Sequence, residues 1–173
     1  MMSQTILVTY ATCTGSTQGV AEAIGKTLAE NGASVEVKPM NSVTDLTPYS
    51  AVVAGSAIQA SAWLPEAVDF IRSNQRALSQ KPFATFLVCM TLAMPNGEKY
   101  RPLVTDFVKP IRGMVRPVSE AQFAGVLDLK KIPSLGDRIK FAISVLLGVW
   151  KKGDHRDWNA INSWAAKLPV VLK

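Results

Sequence analysis

The amino-acid sequence predicts an α/β fold, a doubly wound, five-stranded parallel sheet with helices on both faces. Three observations carry that prediction. Short, nearly continuously apolar runs recur through the first ninety residues, as parallel strands covered on both faces require. Between them lie segments with apolar residues at helical spacing. The two patterns alternate, which is the signature of a parallel sheet wound by right-handed crossover helices.

The elements follow in chain order. Residues 5–10 read as the first strand. In residues 18–30, Val20, Ala21, Ile24 and Leu28 share one helical face, and Gly32 stops the helix. Residues 35–37 read as the second strand, 51–56 as the third and 83–90 as the fourth. Residues 64–79 read as a helix with Pro65 in its first turn and Val68, Ile71 and Ala77 inward. Residues 100–113 read as a helix interrupted near Pro110, and residues 120–127 as the fifth strand. A helical insert at 128–153 follows strand five, and a last helix, 157–167, is expected to pack back on the sheet. No internal repeat or linker divides the chain, so residues 1–173 read as one domain.

Composition narrows the class. Apolar residues make up 48% and charged residues 18% of the chain, as in globular proteins. Met1-Met2-Ser3-Gln4 leads into a strand without a basic region, so no signal peptide is expected. The two most prominent apolar runs, 83–94 and 141–150, are twelve and ten residues long, whereas a spanning helix needs about 20. A soluble or peripheral protein is expected. Two cysteines, Cys13 and Cys89, show neither metal-ligand spacing nor a disulfide framework, so a reducing, cytoplasmic setting is expected. The net charge of +6 is uneven: residues 1–100 hold six Lys+Arg and seven Asp+Glu, residues 101–173 thirteen and six. An anionic partner would therefore be met by the C-terminal part. Lys130, Lys131, Arg138, Lys140, Lys151 and Lys152 form no nucleic-acid-reading motif, and no nucleic acid partner is expected.

Ligands of a parallel α/β sheet bind beyond the carboxyl ends of the strands, near helix N-termini. Thr12-Cys13-Thr14-Gly15-Ser16-Thr17 falls there. It offers four hydroxyls, a glycine that lets the backbone approach, and free amides at a helix start, which together make an anion site without any Lys or Arg. Several phosphate sites fail on named residues. Gly25-Lys26-Thr27 could end a nucleotide P-loop, but its first glycine falls on Val20 and the triplet sits inside a helix. A dinucleotide glycine pattern is absent, with only Gly15 and Gly19 present. A cysteine phosphatase built on Cys13 would need arginine where Gly19 stands. A phospho-acceptor domain would need aspartate in Ala54-Gly55-Ser56, at the end of the third strand.

What remains is Thr-x-Thr-Gly-x-Thr between the first strand and first helix, and there the sequence resembles the flavodoxins, whose corresponding loop wraps the phosphate of FMN. The resemblance implies hydroxyls from Thr12, Thr14 and Thr17 and amides from Cys13, Gly15 and Ser16. The stretches AVVAGSAIQASAWLPEAVDFI (51–71), FAGVLDLKKI (123–132) and GDHRDWNAINSWA (153–165) resemble one flavodoxin-like subgroup, the menaquinone-dependent protoporphyrinogen dehydrogenases, over most of the chain. By that resemblance the flavin ring lies between Ser56-Ala57-Ile58-Gln59-Ala60 and Thr91-Leu92-Ala93, with Trp63 or Tyr100 stacked on it. For Trp63, two residues before Pro65, covering the helix start is the stronger reading.

The resemblance implies an FMN-binding oxidoreductase that oxidises protoporphyrinogen IX or a related substrate and passes electrons to a quinone. The alternative is a flavodoxin-type electron carrier without its own substrate. Carriers of that kind are usually acidic, whereas this chain is basic and bears an apolar insert, a departure that favours the enzyme. No side chain is assigned a catalytic role, since the flavin takes the electrons and the protein supplies position and electrostatics. The only histidine, His155, stands beside Gly153, Asp154 and Arg156 and reads as a solvated loop residue. Cys89 reads as a small buried hydrophobe, and no metal site is expected.

Within the insert, Ile139, Phe141, Ala142, Ile143, Val145, Leu146, Leu147, Val149 and Trp150 cover nearly every side of a helix. Such a helix does not stand alone in water. It is expected to be buried against its own domain, to form a homo-oligomer through residues 135–152, or to make a peripheral contact with the inner face of the membrane, its lysines at the headgroups. Burial or oligomerisation is the plainer expectation.

Overall fold

The computed structural model describes residues 5–173; the expectation about a signal peptide rests on residues 1–4, outside the described residues. The strands, in chain order, are β1 (Thr5–Ala11), β2 (Ser34–Pro39), β3 (Tyr49–Gln59), β4 (Ala62–Trp63), β5 (Phe83–Val88), β6 (Ser119–Phe123), β7 (Val126–Leu127) and β8 (Gly153–Asp154). The helices are α1 (Ser16–Glu30), α2 (Pro65–Ser73), α3 (Gln75–Leu78), α4 (Arg101–Asp106), α5 (Lys109–Met114), α6 (Leu135–Leu146) and α7 (Trp158–Val171). Five strands form a parallel sheet in the order β2-β1-β3-β5-β6. The doubly wound α/β fold read from the sequence is the fold of the chain.

Each face of the sheet carries its own apolar layer. On one, Val20, Ala21, Ile24 and Leu28 of α1 and Ile161, Ala165 and Leu168 of α7 pack on Ile6, Val8, Val53 and Phe86. On the other, Ala67 and Ile71 of α2, Leu78 of α3, Val104 of α4 and Ile111 of α5 pack on Leu7, Val52 and Leu87. For α1 and for Ile71 these are the positions that helical periodicity assigns inward, whereas Val68 and Ala77, also expected inward, are only partly buried and Ala67 and Leu78 take the core positions instead.

The boundaries differ from the sequence expectation where local chemistry intervenes. The helix expected over 64–79 divides into α2 and α3 at Asn74, whose side chain donates to the Phe70 carbonyl and competes with the helix ladder. The interruption near Pro110 falls between α4 and α5, with Pro110 in the first turn of α5, where its missing N–H costs nothing. The fifth strand ends at Phe123, and the chain resumes as β7 to pair antiparallel with β8. That pair closes the base of the insert.

One row across the sheet is polar without being satisfied. Thr9, Ala54 and Thr85 are register partners on adjacent strands, and both threonine hydroxyls are buried without a hydrogen-bond partner. Leaving a buried hydroxyl unpaired costs about 1–3 kcal/mol. Thr85→Val keeps the shape and removes that cost, so it is expected to raise stability by about 1 kcal/mol, read as an increase of about 2–4 °C in Tm. A drop in Tm would mean that the hydroxyl is satisfied in solution.

Candidate functional site

Strand order reverses beside β1, so the carboxyl ends of β1 and β3 open a crevice between helices leaving opposite faces. The loop 12–17 leaves β1 at that crevice. Gly15 takes φ 90°, the left-handed region, and turns the chain into α1. The amide of Gly15 donates to the Thr12 hydroxyl at 3.0 Å, which braces the loop. No side chain caps α1, so its first amides are left for an incoming acceptor. The Thr17 hydroxyl is buried and has no partner. An uncapped helix start with an orphaned hydroxyl in its first turn fits the phosphate of the cofactor that the sequence resemblance implies. Thr12, Thr14, Ser16, Thr17 and the loop amides would hold it.

Cys13 lies on this loop, its thiol 3.8 Å from the Gln59 side-chain oxygen. Desolvation, and then the Glu66 carboxylate, push that thiol above its ordinary value. A raised thiol is a poor nucleophile at neutral pH, which agrees with reading Cys13 through its amide. Cys89 is buried, as expected.

The loop expected at 56–60 is a continuation of β3. The strand runs on to Gln59 and turns back into β4, with Ile58 opposite Trp63 and Gln59 opposite Ala62. Ala60 and Ser61 make the two-residue turn at φ 49° and 62°. A turn with both central residues at positive φ matches the strand twist but strains non-glycine residues. Ser56 braces the hairpin: its hydroxyl donates to the Ala57 carbonyl and accepts from the Leu64 amide.

Beside the loop and hairpin lies a cavity of about 270 Å³. Cys13, Thr14, Ser16, Ala57, Ile58 and Gln59 line it, and so do Val88 and Met90 at the end of β5. Its far wall is Gly125, Val126, Leu127 and Asp128 after β6, with Ile132, Pro133, Ser134, Asp137 and Phe141 of the insert. Thr12, Gly15 and Thr17 belong to the same loop without lining the cavity. Ser56 and Ala60 serve the hairpin instead. Trp63 is only 4% exposed and packs in the core with Leu64 and Ala67, so it covers the start of α2 rather than the cavity. Thr91, Leu92 and Ala93 coil into a 3₁₀ turn, Met90–Ala93, with Leu92 against the core; Met90 takes their place at the wall. Tyr100 stands at the surface, outside the cavity lining.

Residues 125–128 of that wall and one charge were not assigned to the site from the sequence. A signal for the wall existed, because ligands sit beyond every strand's carboxyl end and residues 124–128 follow β6. The charge is Arg156. Asp154 grips its guanidinium with both carboxylate oxygens, at 2.9 and 2.6 Å, and Trp158 lies under it at 4.4 Å. The same guanidinium holds the Asp154 carboxyl below the ordinary aspartate range. Its Nη1 reaches the Ser16 carbonyl at 3.4 Å, and Gly19 leaves it room, since a Cβ there would lie 2.4 Å from Nη1. The loop without a basic residue of its own thus has one at its back. His155 stays in the β8 turn, its ring Nε2 against the Lys151 carbonyl. Among the described residues no His, Cys, Asp and Glu cluster could hold a metal.

A family model described as a flavodoxin domain matches residues 7–147. No curated protein matches the chain. Among solved structures, it is similar to a short-chain flavodoxin associated with a non-canonical PDU bacterial microcompartment, at 17% identity over 98% of this chain and 99% of that one, with a TM-score of 0.60. It is also similar to the flavodoxin of Streptococcus pneumonia TIGR4, at 14% identity over 96% and 98% of the two chains, TM-score 0.56. Flavodoxin 2 of Bacillus cereus is similar at 21% identity over 83% and 98%, TM-score 0.53. At these identities the likeness is one of fold.

Proposed function

Because this chain belongs to the flavodoxin domain family, whose cofactor is FMN, we propose that it is an oxidoreductase acting on protoporphyrinogen IX or a related apolar, carboxylated molecule, with a quinone as electron acceptor. FMN, when bound, supplies the electron-accepting chemistry. The loop 12–17 would anchor it by the phosphate, with Arg156, itself paired with Asp154, bracing the Ser16 carbonyl behind the first turn of α1.

The observation that carries the reading is the wall made by the insert. Ile132, Pro133 and Phe141 line the cavity together with the hairpin residues, as do Val88 and Leu127. A carrier that only exchanges electrons with other proteins needs an open cofactor edge. An enzyme for an apolar molecule gains from apolar side chains at the edge of the cofactor's cavity, because packing against them both binds the substrate and excludes water. Asp128 on that wall would repel carboxylates and Asp137 is paired with Lys140 at 3.6 Å, whereas Lys130 and Lys131 are exposed. Substrate carboxylates would therefore stay at the basic rim while the apolar body enters.

The test is anaerobic: FMN-loaded protein is mixed with protoporphyrinogen IX and a soluble naphthoquinone, and porphyrin fluorescence is followed. Fluorescence that rises only when the quinone is present is the expected result. If no quinone supports porphyrin formation while the protein passes electrons to a redox protein, it is a carrier.

A further inference from the structure

We propose that the outer face of α6 is a docking surface for an anionic lipid bilayer. α6 contains no buried residue, so the expectation of burial against its own domain is not met. Leu135, Ile139, Ile143 and Leu146 are exposed at spacings of four, four and three residues, which is one side of the helix. Leu146 is 87% and Leu147 73% exposed. On its inner side the same helix presents Asp137 and Phe141 to the cavity, and Phe141 is braced by Trp150 at 6.1 Å between ring centroids.

Charge decides what covers the stripe. Residues 128–153 hold six Lys+Arg and two Asp, and Lys130, Lys131, Lys140, Lys151 and Lys152 are all exposed. A second copy docked on the stripe would bring two such basic sets together, which opposes a symmetric dimer. An anionic headgroup layer complements them while the aliphatic stripe enters the acyl boundary. A helix of twelve residues lies along such a surface, and no helix among the described residues is long and apolar enough to cross a membrane. Docking in this way sets the cavity wall against the bilayer. The benefit of that placement, access to a membrane-dissolved quinone, rests on the function proposed above; the docking itself does not.

The experiment is co-sedimentation of the full, FMN-loaded chain with vesicles of phosphatidylcholine alone or mixed with phosphatidylglycerol. Binding is expected to be at least about tenfold tighter to the mixed vesicles and to weaken as salt is added. The variant Ile139→Ser/Ile143→Ser/Leu146→Ser should bind at least about tenfold more weakly. Lys151→Gln and Lys152→Gln, at exposed positions where folding is not in question, should each cost about fivefold on the mixed vesicles. Absence of binding to mixed vesicles, or unchanged binding in the lysine variants, overturns the proposal. So does a dimer in sedimentation velocity that the triple variant splits, since a second copy then covers the stripe. Turnover with a soluble quinone needs no vesicle, so failure there with vesicle binding intact would count against the proposed reaction and not against the docking.

Discussion

Thr14→Val combined with Thr17→Val is expected to weaken FMN binding about a hundredfold or more. A hydrogen bond to a charged group is worth about 1.5–3 kcal/mol, so losing two costs about 3–6 kcal/mol, and each 1.4 kcal/mol is about tenfold. The Thr17 hydroxyl is buried and unpartnered in the chain by itself, so valine there removes an unpaired group from the cofactor-free protein. The FMN-free variant should therefore melt no lower than the parent, and FMN should raise its Tm much less. Titration by flavin fluorescence measures the affinities. Riboflavin, which lacks the phosphate, should bind the parent much more weakly than FMN and should be nearly indifferent to both substitutions. Equal binding of FMN and riboflavin by the parent would show that the loop 12–17 does not hold the phosphate.

Gly55→Ala is expected to destabilise the fold by about 3 kcal/mol, the upper part of the range for overpacking a core. Gly55 pairs in register with Phe86 on the next strand, and a Cβ at Gly55 would lie 2.0 Å from Phe86 Cζ and 2.3 Å from both Cε atoms. The ring cannot step aside. It is fully buried, with Phe123 at 6.5 Å and Trp164 at 6.3 Å between centroids. A loss of this size corresponds to about 6–12 °C in Tm. The double variant Gly55→Ala/Phe86→Leu should lose less than the sum of the two single changes, because the smaller side chain relieves the clash. Additive losses would mean that the ring and the strand do not compete for the same space.

Much of this molecule is legible along the chain. Apolar runs and helical spacing determine the strands, the helices and their order, because a strand buried on both faces or a helix with one buried stripe needs those residues locally. The composition of residues 12–17 makes that loop the candidate anion site in the same way, since hydroxyls, a glycine and a helix start are all contiguous. Tertiary structure alone decided which side chains meet at the cavity. Trp63 and Ser56 were spent on the core and the hairpin, Thr91 to Ala93 on a 3₁₀ turn, and the wall came instead from Ile132, Asp137 and Phe141. Arg156 reaches the loop from 140 residues away, carried there by the pairing of β7 with β8. The physical reason is that periodicity specifies which face of an element is apolar. What that face meets depends on how segments far apart in the chain pack, and no local pattern records it.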